Sequence, residues 1–155
     1  MKEANFSELV GQTPWKIEGE VGDSEVRFYC TTGKVFLMQH DQDCCEHVYL
    51  EDVVGDLNSL LHKVIVQATE DTKIEGDLPP INPNEEYPDD SYTWTFYHIR
   101  TMETTVTLRW YGSSNGYYSE EVDFYLLDEP VYQPVAEKKA ETKSVRVLKL
   151  TGGNA

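Results

Sequence analysis

From Val26 onward the chain alternates. Val26, Phe28 and Cys30 are separated by Arg27 and Tyr29, the period of two expected of a strand with one face in a core and the other toward water. Thr31-Thr32-Gly33-Lys34 then reads as a turn into Val35-Phe36-Leu37-Met38, so the segment is expected to form a hairpin, preceded by a strand over Trp15 to Glu20. Thr105 to Tyr111 sets Val106, Leu108 and Trp110 on one face and Thr105, Thr107, Arg109 and Tyr111 on the other. Tyr117 to Leu127 repeats the pattern, with Val122, Phe124 and Leu126 inward and Glu121, Asp123 and Tyr125 outward. The intervening Gly112-Ser113-Ser114-Asn115-Gly116 contains an Asn-Gly step, which tolerates positive φ and predicts a hairpin between these two strands. In Ser91 to Met102 the apolar positions change parity between Phe96 and Tyr97, which calls for either a β-bulge or a strand buried on both faces; this strand is expected to pair with Thr105 to Tyr111.

Helical pattern is scarce. Asp56-Leu57-Asn58-Ser59-Leu60-Leu61-His62-Lys63 predicts about two turns with Asp56 as N-cap, and Val64 to Thr69 a further strand. Between Glu70 and Tyr92 lie Pro79, Pro80, Pro83 and Pro88 among many acids, a composition that predicts a long exposed loop interrupting the sheet. The fold class expected is mainly β: a single-domain antiparallel sheet, sandwich or open barrel with one short helix. The domain is expected to run over residues 1–135, with an acidic Pro-rich loop at 70–91. Residues 136–155 are expected to be a basic tail or an added edge strand. At 155 residues one core is the default.

Charge changes this picture. The formal net charge is −15, and 14 Asp and Glu lie between His40 and Ser91 against Lys63 and Lys73 alone. Clustered like charge costs stability, so a surplus of this kind serves solubility or recognition. It also disfavours direct contact with nucleic acid, whose phosphates the acidic surface would repel; the tail, with Lys138, Lys139, Lys143, Arg146 and Lys149, is the exception. No apolar run approaches the ~20 residues of a membrane span. The N-terminus lacks the apolar core of a secretory signal, so the cytoplasm is the expected compartment. Cys30, Cys44 and Cys45 are odd in number with two adjacent, a pattern read as reduced thiols rather than a disulfide framework.

Three sets of residues are candidates for chemistry. The densest is His40-Asp41-Gln42-Asp43-Cys44-Cys45-Glu46-His47, where His40, Asp43, Cys44, Cys45 and His47 include the donor types of a zinc site. The spacing matches no Cys-x-x-Cys, His-Glu-x-x-His or EF-hand signature. The alternative is a cysteine packed as a small apolar residue, with the acids satisfying a turn or facing water. The second set is an acidic face built from Asp41, Asp43, Glu46, Glu51, Asp52, Glu85, Glu86, Asp89 and Asp90. It suits a protein partner with a basic surface. The third is Arg109, Tyr111, Asn115, Tyr117 and Tyr118, a cation with aromatic and small polar residues around a turn, suited to a phosphate and a stacked base. The alternative for these rings is cross-strand packing within the sheet. No nucleophile elbow, phosphate loop or dinucleotide fingerprint is present, so the sequence reads as a binding protein rather than an enzyme, with no cofactor required and zinc as the candidate if there is one.

Two stretches, His40 to Leu57 (HDQDCCEHVYLEDVVGDL) and Thr107 to Glu120 (TLRWYGSSNGYYSE), resemble a family of small uncharacterised proteins frequent in bacteriophage and prophage genomes, over roughly Phe6 to Phe124. The resemblance transfers no catalytic residue. It implies an accessory protein that binds and disables host machinery such as CRISPR effectors or restriction enzymes, here with the acidic face mimicking nucleic acid. The alternatives are a sponge for a signalling nucleotide, built on Arg109 or Arg100 and the nearby tyrosines, and a metal-dependent hydrolase using the His40 to His47 cluster.

Overall fold

A computed structural model describes residues 1–74, 76–82 and 89–135. Nine strands are present among them: β1 (Lys2–Glu3), β2 (Pro14–Glu18), β3 (Glu25–Cys30), β4 (Val35–Gln39), β5 (His47–Val54), β6 (Gln67–Ile74), β7 (Ser91–Arg100), β8 (Thr105–Ser114) and β9 (Asp123–Leu126). They form two open antiparallel sheets, one ordered β1-β9-β4-β3-β2 and the other β5-β8-β7-β6. The protein is mainly β, as its alternating pattern predicts.

The core lies between the sheets. Val26 and Phe28 of β3, Phe36 and Met38 of β4 and Phe124 of β9 meet Leu50, Tyr97, Ile99, Leu108 and Trp110 from the other sheet, all buried. Phe6, from a 3-10 turn over Phe6–Leu9, closes one side by packing on Tyr97 and Phe124 at ring-centroid distances of 4.7 and 5.3 Å. Burying side chains of this size is worth about 1.5–3 kcal/mol each, and that term holds the two sheets together, with no long helix among the described residues. The segment over 56–63 forms only one 3-10 turn, Leu57–Leu60, with the Asp56 carboxylate accepting the Asn58 N–H; the cap is where the sequence puts it, and the second turn is not formed.

Two expectations are corrected and one open alternative is decided. Strands β8 and β9 do not form a hairpin: β8 pairs with β5 and β7, β9 with β1 and β4. The Gly112-Ser113-Ser114 run is strand rather than turn, because Gly112 leaves room for the chain to pass back over it; a Cβ there would lie 2.6 Å from the Glu120 carbonyl oxygen. The chain then crosses from one sheet to the other through 115–122. Second, of the two readings of β7, burial on both faces is the one observed and the bulge is not formed. The register of β7 against β8 runs unbroken from Ser91↔Ser114 to Arg100↔Thr105, and the parity change arises because Tyr97 and Ile99 face the core while Tyr92, Trp94 and Phe96 face outward. Third, the 70–91 segment is not an unpacked loop throughout. Its first residues extend β6 to Ile74, and residues 76–82 lie back on the sheet. Glu85 and Glu86, and the basic tail over 136–155, fall outside the described residues.

Candidate binding surface

The His40–His47 segment folds around a carboxylate. Glu46 is buried and one of its oxygens accepts the Asp43 N–H at 2.6 Å while the other accepts the Cys44 N–H at 3.0 Å. His40 lies alongside, its Nε2 2.8 Å from Glu46 Oε1 and its Nδ1 2.7 Å from the Glu121 carbonyl oxygen. Both ring nitrogens thus face acceptors, so the doubly protonated imidazolium is the form that satisfies both. The side chains of His40 and Glu46 are 3% and 0% exposed, which makes this an internal ion pair. The Asp43 N–H, with help from His40 and the Cys44 N–H, holds the Glu46 carboxyl down at about 2 against the cost of burial. Burial disfavours the charged His40 ring, but the bonds to Glu46 and Glu121 outweigh it and the pKa is raised. Gln42 completes the loop by donating to the carbonyls of Cys44 and Glu46.

These contacts leave no metal site of the kind the sequence suggests. Both nitrogens of His40 are taken, and Cys44 and Cys45 are joined to each other in a disulfide, contrary to the expectation of reduced thiols. His47 is exposed and stacks on Tyr49. Among the described residues no three His, Cys, Asp or Glu side chains are gathered to hold a metal ion. Cys30 remains a thiol, buried, its pKa pushed up to about 11 by burial.

The proposed acidic face is likewise divided. Register slips between Leu50 and Asp52 on β5, so Glu51 is the extra residue of a bulge, and both acids turn toward Arg109 on β8. Arg109 Nε donates to Glu51 at 2.5 Å and its Nη2 lies 3.4 Å from Asp52, while the guanidinium sits 5.5 Å from the Trp94 ring centroid. Asp41 accepts the Tyr125 hydroxyl, and Asp89 accepts that of Tyr111. Asp43 and Asp90 are exposed. Glu46, Glu51, Asp52, Asp41 and Asp89 are thus each engaged by a donor within the domain, and Glu46 is buried.

The cation and tyrosine set does not assemble either. Arg109 faces away from the core, as its parity requires, but its charge is matched by two carboxylates. Tyr111 is buried and Asn115 spends its side-chain oxygen on the Tyr117 N–H. Tyr117 is 91% exposed and Tyr118 half-buried.

Exposed acids gather instead along two open grooves. One, about 650 Å³, runs beside the first 3-10 turn and is lined by Glu3, Glu8, Glu70 and Asp123; the other, about 680 Å³, is lined by Glu18, Glu20, Asp23 and Asp56. No lysine or arginine lines either. A smaller groove sharing Glu70 and Val122 with the first adds Glu121. Sequence reading missed this gathering, since these acids come from β1, β2, β6 and β9 and from turns between them. It also missed Glu120, a buried carboxylate that accepts the hydroxyls of Thr93 at 2.8 Å and Ser114 at 2.5 Å.

Fold and surface together define a small two-sheet β domain, acid-rich outside, with no metal constellation among its described residues. The chain belongs to a family described as a domain of unknown function, DUF7448, which matches residues 7–124, from the first 3-10 turn into β9. No curated protein and no solved structure matches it. Among the described residues no helix is long and apolar enough to cross a membrane.

Proposed function

We propose that this domain acts by binding: it occupies a basic, nucleic-acid-binding surface of a partner protein and keeps nucleic acid out. One observation carries the reading. The five cations of the tail are matched in number by Glu75, Glu85, Glu86, Glu137 and Glu141, which also lie outside the described residues, so the whole net charge of −15 belongs to the described part of the domain. There its exposed acids line two grooves in which, among the described residues, only Glu18 is ion-paired, with Lys16 at 2.9 Å. A surface of this sign steers toward basic channels and competes with phosphates for them. The resemblance to phage proteins makes a nucleic-acid-guided or nucleic-acid-cutting host defence protein the partner class, met in the host cytoplasm. A nucleotide sponge built on Arg109 and a metal hydrolase built on His40 are less well supported, because both residues are already paired; Arg100, the other cation of the sponge reading, is exposed at the end of β7, away from the Tyr117 and Tyr118 turn.

The test is capture from nuclease-treated bacterial lysate on the immobilised domain, washed at about 0.1 M and about 1 M salt, where the screening length falls from about 10 Å to about 3 Å. A nucleic-acid-binding protein held at low salt, shed at high salt and displaced by duplex DNA is the expected result. A Glu3→Gln, Glu20→Gln, Glu121→Gln variant should then retain a small fraction of it while unfolding at a urea midpoint no lower than the parent's. Capture that is indifferent to salt or to these substitutions would overturn the proposal.

A further inference from the structure

The outer face of the four-stranded sheet carries aromatic surface that the sandwich does not use. Tyr92 and Trp94 on β7 and Tyr111 on β8 form a cluster separate from the main core. Trp94 and Tyr111 are directly opposed across the ladder, with their rings edge to face at 4.7 Å. A solvent-facing side of a sheet ordinarily carries polar residues, yet these three are 7%, 8% and 2% exposed.

What covers them is Leu78-Pro79-Pro80-Ile81. The Tyr92 hydroxyl donates to the Leu78 carbonyl at 2.7 Å, Trp94 Nε1 donates to the Pro79 carbonyl at 3.0 Å, and the Ile81 N–H donates to the Tyr111 hydroxyl at 3.2 Å. The Tyr111 hydroxyl is oriented in turn by donating to Asp89. The segment is extended by covalent constraint, since Pro79 and Pro80 fix their own φ, and Leu78 and Pro79 each precede a proline and are pushed out of the helical region. Proline segments of this kind leave their carbonyls unbonded, and aromatic grooves with side-chain donors are how β domains commonly bind them.

We propose that this groove is a binding site for extended apolar-Pro-Pro-apolar segments, that the chain's own residues 78–81 are its resident ligand, and that a partner's segment of the same chemistry displaces them. The resident segment fits incompletely: Leu78 and Ile81 remain 36% and 42% exposed, so its hold comes chiefly from the three backbone bonds, which any such segment can make. Tethering gives the resident a high effective concentration, so the site is masked in the intact chain against all but better-fitting segments.

The experiment replaces the resident and supplies it in trans. The variant Leu78→Ser, Pro79→Gly, Pro80→Gly, Ile81→Ser is titrated with the peptide Gly-Asp-Leu-Pro-Pro-Ile-Asn while the Trp94 indole N–H is followed by NMR. Saturable shifts of that resonance are expected, with affinity at least about tenfold above that of the intact chain. Trp94→Phe, which removes one donor and is therefore read by calorimetry, should weaken binding about two- to tenfold, and a peptide with alanine for both prolines should lose most of it. If the quadruple variant loses its dispersed spectrum, Pro79→Ala, Pro80→Ala serves in its place. A folded variant whose Trp94 resonance does not move, equal binding of the alanine peptide, or equal binding by the intact chain would overturn the proposal.

Discussion

Substituting Gly112 by alanine tests how the two sheets are joined. In a strand interior this change ordinarily stabilises by about 0.5–1 kcal/mol, because glycine has more conformational freedom to lose. Here the sign should reverse. The added Cβ would lie 2.6 Å from the Glu120 carbonyl oxygen, 2.9 Å from its Cβ and 3.2 Å from Val48 Cγ2, and the first two belong to the chain crossing between sheets, not to a side-chain tip that can swing away. Displacing a packed segment of this kind costs about 1–3 kcal/mol. It also pulls the Glu120 carboxylate from the Thr93 and Ser114 hydroxyls. At about 4 °C for each kcal/mol in a domain of this size, Tm should fall by on the order of 4 to 12 °C, read by calorimetry or by tryptophan fluorescence in urea. Glu120→Gln in the Gly112→Ala background should then cost much less than in the parent, because the bonds it weakens are already broken. An alanine variant that is as stable as the parent, or strictly additive effects, would refute this account of the crossover.

Two further outcomes follow from the His40–Glu46 loop. His40 has a raised folded pKa, so its contribution is complete below its ordinary value of 6.5 and is lost as pH rises through the folded value; Glu46, held down at about 2, contributes fully above 4.5 and loses this as pH falls toward 2. The pair therefore contributes most between pH 4.5 and 6.5, and the gap in urea midpoint between the parent and His40→Gln should be widest there and narrow on both sides; superimposable pH profiles would exclude the pair. Alkylation with mass readout should modify one cysteine, Cys30, in unreduced denatured protein and all three after reduction. Three modified cysteines without reductant would show Cys44 and Cys45 to be thiols.

What the sequence makes legible is what a period of two can carry. Val26, Phe28 and Cys30, or Val106, Leu108 and Trp110, face the core because alternate side chains of a strand must share a face. Pairing is a different matter. Gly112-Ser113-Ser114 has the composition of a turn, and only the approach of Glu120, eight residues on, explains why it is strand. Strand β6 continues through Glu70, Asp71 and Thr72, which are polar and exposed, because an edge strand with one neighbour needs no apolar residue on most of its length. The parity change in β7 is readable as burial on both faces, but the identity of its outer cover is not, since Leu78-Pro79-Pro80-Ile81 sits inside an acidic stretch whose average composition hides it.

The acids make the same point more sharply, because a carboxylate carries one unit of formal charge wherever it sits while its role depends on what donates to it. Glu46, Glu51 and Glu120 are accounted for by backbone N–H groups, an arginine and two hydroxyls. Each is a fold element, and neutralising it should loosen the domain before it alters any surface. Glu3, Glu20 and Glu121 line the grooves with no cation paired to them among the described residues, so neutralising them should relieve repulsion within the domain and weaken only the hold on a basic partner. A run of acids in sequence therefore marks neither class by itself. Substitutions that cost stability and substitutions that cost binding should fall on different members of the same charge surplus.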